Sequence, residues 1–243
     1  MDHFFSNLIV WYAVFLFSAT LHEASHSFAA AWGGDYTAYQ AGSATLNPLP
    51  HIEREKVGMI LAPLVTFFLN GGQWMIGWAS APFNPYWAAR YPVRSFLMSL
   101  AGPLSHIPAV VASYLGMYFG LKTGFFVPAV VEGLPGVVAM GSGGTAAWAL
   151  SLFLNALFTM NLVLLFFNLM PFPPMDGSNV WYLFIKSEET RLRWQYTAHS
   201  YSFAGLLLAW YFFPRIYAPV YNGLYQHLYV AWFQTAGMEG LIR

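Results

Sequence analysis

The sequence has no cysteine. That excludes disulfides and thiolate metal sites, so a tightly held metal ion would need His, Asp or Glu as ligands. Charge is also scarce: 8% of the 243 residues are Asp, Glu, Lys or Arg, against about 25% in soluble domains. Ten basic and ten acidic residues cancel. The basic ones are scattered, which leaves no nucleic-acid footprint and argues for no nucleic-acid partner. What fills the space is apolar, 58% of the chain, so the lipid bilayer is the expected solvent and partner. No repeat, low-complexity tract or long polar block interrupts it, which predicts a single membrane-embedded domain over residues 1–243. Residues 1–7 lack the basic flank of a cleavable signal, so the first apolar stretch reads as a retained span.

Stretches able to cross about 30 Å of hydrocarbon fall at residues 4–32, 95–121 and 145–170. Residues 201–213 and 216–233 read as two additional C-terminal spans (about 198–234) beyond a core of about residues 4–186. The apolar stretch 57–78 is ambiguous, because Pro63 and Asn70-Gly71-Gly72-Gln73 are poor continuous helix. Charge decides how to read it. If it crosses, Arg90, Arg94, Lys186, Arg191, Arg193 and Arg243 face Arg54, Lys56, Lys122 and Arg215, six against four. If it re-enters, Arg54 and Lys56 join the larger group and the split is eight against two. Cytoplasmic loops carry the Lys/Arg excess, which favours re-entry, an external N-terminus and an internal C-terminus. Residues 33–50, rich in Gly, Thr, Tyr and Pro, suggest strands or a hairpin. The expected class is an all-α polytopic membrane protein with about five to six transmembrane helices, a re-entrant segment and a small β-hairpin after the first helix.

The first span contains His22-Glu23-Ala24-Ser25-His26. Residues four apart share a helix face, so both imidazoles can reach one ion, and bonds of about 2.0–2.1 Å to zinc demand that closeness. Glu23 is placed to take a proton from water activated by the metal. Three ionisable residues in five, inside a span, need a shared purpose. Catalytic zinc usually takes three protein ligands. Asp176 is the leading third candidate, because Pro171, Pro173 and Pro174 just before it unwind a span in apolar surroundings. It also reads as a helix N-cap after a proline turn. Glu132, Glu188 and Glu189 are the alternative third ligands, as in another class of membrane metalloprotease. A metal-binding transporter is a further reading, although no inverted repeat supports it and Glu23 then has no task. His106 reads as a hydrogen-bonded core histidine ahead of an extra polar contact near the site, and His51 as a loop histidine or a pocket residue.

His22-Glu23-x-x-His26 followed by Asn168-x-x-Pro171-x-Pro173-x-x-Asp176-Gly177 resembles the site-2 protease family of intramembrane zinc metalloproteases. Thr45-Leu46-Asn47-Pro48-Leu49-Pro50-His51-Ile52, Gly77-Trp78-Ala79, Asn84-Pro85 and Ala101-Gly102-Pro103-Leu104 are similar to its compact bacterial and archaeal branch, without PDZ or CBS domains. The likeness covers about residues 21–180. It implies one Zn2+ per chain held by His22, His26 and Asp176, with Glu23 activating water and Asn168 steadying the substrate or its oxyanion. It also implies transmembrane segments of membrane proteins as substrates, and a prokaryotic cell membrane with the site near the cytoplasmic face. An inactive relative that binds spans without cutting them shares the pattern. The family often has Leu where Met175 stands, and Asn where this chain has His106. A hairpin edge over residues 36–46 would be a place for an unwound substrate to align.

Overall fold

The computed structural model describes residues 4–131, 134–139 and 144–237. Helix α1 (Phe4–Gly33) runs for 30 residues with no proline and no interior glycine, and stops where Gly34 turns at φ 98°. Short helices α2 (Thr37–Gln40) and α3 (Pro48–Arg54) follow. The hairpin expected at residues 33–50 does not form. Asp35 accepts hydrogen bonds from the Thr37 amide and hydroxyl, and the Asn47 side chain caps α3 ahead of Pro48. These are turn and helix-start signals, and they outweigh the strand-like composition. The hairpin lies elsewhere: β1 (Phe126–Val131) pairs antiparallel with β2 (Leu134–Ala139). Asn155 holds it, its amide bonding both the N–H and the carbonyl of Val137.

Helix α4 (Val57–Leu69) opens with a π-helical turn and is too short to cross a bilayer. Gly71 and Gly72 turn the chain at positive φ, and residues 73–84 return alongside without regular secondary structure. Thr66 Oγ1 bonds both backbone groups of Ile76, and the Trp78 amide donates to the Gly58 carbonyl at 3.1 Å. A Cβ on Gly58 or Gly77 would overlap the facing backbone, so this doubling-back depends on both glycines. The loop's tip packs on α1 through Phe4, Phe67 and Met75.

Helices α5 (Pro85–Arg90), α6 (Pro92–Leu104) and α7 (Ile107–Lys122) come next, α6 and α7 breaking at Ser105-His106 between Pro103 and Pro108. Helix α8 (Gly144–Asn168) leads through a proline-rich turn to a 3₁₀ helix at Asp176–Leu183. The amphipathic-poor, charged α9 (Glu188–Ser200) precedes α10 (Ser202–Thr235). Residues 198–234 therefore do not form two C-terminal spans: α10 passes through Pro214 and Pro219 unbroken. A ladder of rings in contact, Phe213–Tyr217–Tyr221 stacked and Tyr225 tilted against Tyr221, at 4.8–5.3 Å, carries one face across both prolines and offsets the lost hydrogen bonds. Four helical stretches among the described residues are long and apolar enough to cross a membrane: Phe4–Gly33, Pro92–Lys122, Gly144–Asn168 and Ser202–Thr235. The sequence expectation is five to six spans; four is the number of described helices with that length and composition.

Candidate metal centre

His22 and His26, one turn apart on α1, stack edge-on with ring centroids 4.6 Å apart. Their Nε2 atoms are 2.9 Å from each other, and Asp176 Oδ2 lies 3.0 Å from the first and 3.3 Å from the second. Tetrahedral zinc with bonds near 2.05 Å sets its ligand atoms about 3.3 Å apart, so the triangle has the right size. His26 Nδ1 is 2.8 Å from the Met98 carbonyl. A carbonyl only accepts, so Nδ1 carries the proton and Nε2 presents a bare lone pair. His22 Nδ1 is 3.0 Å from His106 Nε2, leaving its own Nε2 for the same task. Two lone pairs and a carboxylate oxygen converging at these distances repel unless a cation lies among them. The far wall is Gly102, where any Cβ would overlap His26 Nε2 and lie 2.7 Å from His22 Nε2. Donor set and bare wall together fit a zinc ion, with room for an open fourth position. Among the described residues this is the one His/Asp/Glu group with such geometry.

The elements explain how Asp176 arrives. Proline at 171, 173 and 174 ends α8 and turns the chain back, and Gly177 allows the 3₁₀ helix to pass against the Leu169 carbonyl, where a Cβ would not fit. Met170 and Met175 anchor the turn on Ala209 and Phe213 of α10. Glu23 is buried on α1, within electrostatic reach of His22, His26, Asp176 and His51. His51, which the sequence left undecided, is buried and tied through Nε2 to the Thr45 carbonyl.

Asn168 is the last residue of α8, and its amide donates to the Leu164 carbonyl one turn back. No described hydrogen bond joins it to the three ligands. Glu189 pairs with Arg193 on α9 and neither it nor Glu188 is part of the cluster; Glu132 lies outside the described residues. A small cavity of about 90 Å³ opens beside His26 and Asp176, lined also by Ala81, Pro82, Phe83, Ser99 and Asn179, with Asn179 hydrogen-bonded to Ser99. A larger cleft of about 740 Å³ between α1, α8 and α10 contains none of the three ligands, so the smaller one is the cavity that concerns the chemistry. Sequence reading missed Gly102, Asn161 and Asn179. Asn161, an amide deep in a long apolar helix, carried a signal that was there to use.

The model of peptidase family M50 matches residues 10–211, which take in both imidazoles, Glu23 and Asp176. The chain belongs to peptidase family M50. This is the site-2 protease family, whose members are membrane zinc metalloproteases, and with its four long apolar helices this M50 chain is an integral membrane protein. It is similar to YwhC of Bacillus subtilis (strain 168), whose designation as a zinc metalloprotease is itself provisional: 30% identity over 164 residues, 67% of this chain and 63% of YwhC. The M50 chain thus spans less than two thirds of that relative's length in the match. No solved structure matches it.

Proposed function

We propose that this protein is an intramembrane zinc endopeptidase that hydrolyses peptide bonds within or near transmembrane segments of other membrane proteins. The observation that carries the reading is the convergence of two imidazole nitrogens and one carboxylate oxygen, from elements 150 residues apart in sequence, at 2.9–3.3 Å. His22, His26 and Asp176 hold one Zn2+ per chain. Bound there, the ion supplies Lewis acidity, bringing the pKa of water toward about 7 and polarising a peptide carbonyl. Glu23 takes a proton from the attacking water and returns it to the leaving nitrogen as the C–N bond breaks. Asn168 swings its amide from the Leu164 carbonyl to the substrate's developing oxyanion. The polypeptide to be cut must be unwound, since a helix's own hydrogen bonds shield its carbonyls. Residues 81–83, which line the small cavity, support an alignment site there rather than at residues 36–46, which hold turn, bend and helix.

In the membrane, α4 and the segment returning from it enter and leave by one face, because a 13-residue helix whose continuation brings Trp78 back to Gly58 cannot cross. The N-terminal end of α1 is outside and the metal centre lies about 10 Å from the cytoplasmic end of α1, seven residues beyond His26. Zinc content of the purified protein, measured beside cleavage of a model transmembrane peptide, tests the reading. Wild type should hold zinc and cut; Glu23→Gln should hold zinc and lose roughly 10²–10⁴-fold in rate. Zinc without cleavage in wild type would favour a transporter or an inactive span-binding relative, and zinc retained by Asp176→Ala but lost from a Glu188 or Glu189 variant would favour the other ligand set.

A further inference from the structure

His106 and Asn161 are both wholly buried, at 0% exposure. His106 sits at the break between α6 and α7, and Asn161 is seven residues before the end of α8. Polar groups at such depth need partners, and here the partners fix one another in order. Asn161 Nδ2 lies 2.8 Å from the Leu157 carbonyl, which can only accept, so the amide's NH2 faces its own helix and Oδ1 faces away. Oδ1 is 2.8 Å from His106 Nδ1, which must therefore carry the proton. His106 Nε2 is then bare and accepts from His22 Nδ1–H at 3.0 Å. That leaves the lone pair of His22 on Nε2, aimed at the metal position.

Resting on the zinc reading above, we propose that His106 and Asn161 are positioning residues that set the tautomer and ring orientation of the metal ligand His22. The relay runs from a backbone carbonyl of α8 to a ligand on α1 without a single ambiguous donor. His26 is served by the Met98 carbonyl instead. Metal-bound histidines almost always give their second N–H to a carboxylate, a carbonyl or water. A neutral imidazole in that place has a distinct consequence. The ligand set carries one negative charge, from Asp176 alone, and no second anion reaches the metal through His22. The ion keeps more of its charge for polarising a carbonyl. The ring stack supports the arrangement: His22 and His106 lie 5.1 Å apart at 29°, so rotation of either ring breaks both contact and bond.

The full chain, purified in detergent, is titrated with zinc against a chelator, and the visible spectrum of its Co2+ form is recorded. His106→Phe should weaken zinc about 10–100-fold and shift the Co2+ bands, and Asn161→Leu should weaken it by about tenfold. His106→Gln should come back to within a few-fold of wild type, because its amide reaches the place of Nε2 and accepts from His22. In that background Asn161→Leu should cost little, since the tautomer no longer depends on it. Wild-type zinc affinity and an unmoved spectrum in a folded His106→Phe overturn the proposal. If His106→Phe does not fold, the other two variants decide: Gln as weak as Asn161→Leu, or Asn161→Leu as tight as wild type, overturns it. A wild-type protein that binds no zinc is a different failure, of the metal site itself.

Discussion

At the residue scale the centre is built by removal as much as by addition. Gly102 has no side chain where two imidazoles lie, and its neighbours cannot retreat, since His26 is held by Met98 and His22 by His106. Gly102→Ala should therefore force the rings apart, costing about 1–3 kcal/mol of stability and a larger share of zinc affinity. Thermal unfolding and chelator competition check it, and full zinc affinity in the alanine variant would contradict the packing argued here. Asn168→Ala should leave zinc in place and lower the rate about 10²–10³-fold, the loss expected for one oxyanion donor; a rate unchanged in a steady-state assay would remove Asn168 from the chemistry. What was legible in the sequence follows from range. His22, Glu23 and His26 were legible because a helix alone brings them together. Asp176 was legible because three prolines mark a break. The pairing of His106 with His22 and with Asn161 was not, because these partners lie 84 and 55 residues apart and only the packed helices bring them together.

Elements show where local preference was overruled. Residues 201–213 and 216–233 read as two short spans, yet the ring ladder on α10 holds one helix across Pro214 and Pro219. Composition at residues 33–50 argued for strands, yet Asn47 caps a helix there and Asp35 holds a turn onto Thr37, and Asp35 also takes the Asn84 backbone amide at 2.7 Å, tying the loop after α1 to the segment that returns from α4. The long α10 has a task beyond crossing. Gly205 meets the Pro173 carbonyl so closely that a Cβ would overlap it, and Ala209 and Phe213 cover Met170 and Met175. The clashing atom is backbone, so no rotamer relieves it. Gly205→Ala should push α10 off the proline turn that carries Asp176. The expected result is a lower unfolding temperature together with weaker zinc, measured in the same preparation; a loss of stability with zinc affinity intact would mean that the turn holds its shape without α10.

For the whole molecule, merging the last two spans makes the number of crossings even. The C-terminal end of α10 then lies on the same side as the N-terminal end of α1, opposite to the sequence expectation. On the proposed topology of four crossings and a re-entrant α4, Arg54, Lys56, Arg90, Arg94, Lys186, Arg191 and Arg193 would share the side of the metal centre and Lys122 would lie on the other, with Arg215 inside α10 and Arg243 outside the described residues. Such an excess would make that side the cytoplasmic face. The absence of cysteine makes the test clean, because single cysteines can be placed in the natural chain without removing any. Arg54→Cys and Ser80→Cys, on either side of the doubled-back loop, should react with a membrane-impermeant maleimide only after the cytoplasmic face is opened. Thr123→Cys, just past α7, should react in intact cells, and so should a cysteine at Thr235. If Arg54 and Ser80 label from opposite faces, α4 crosses. The segment beside His26 and Asp176 would then approach the centre from the other side of the membrane, and the route by which water and substrate reach the zinc would have to be redrawn with it.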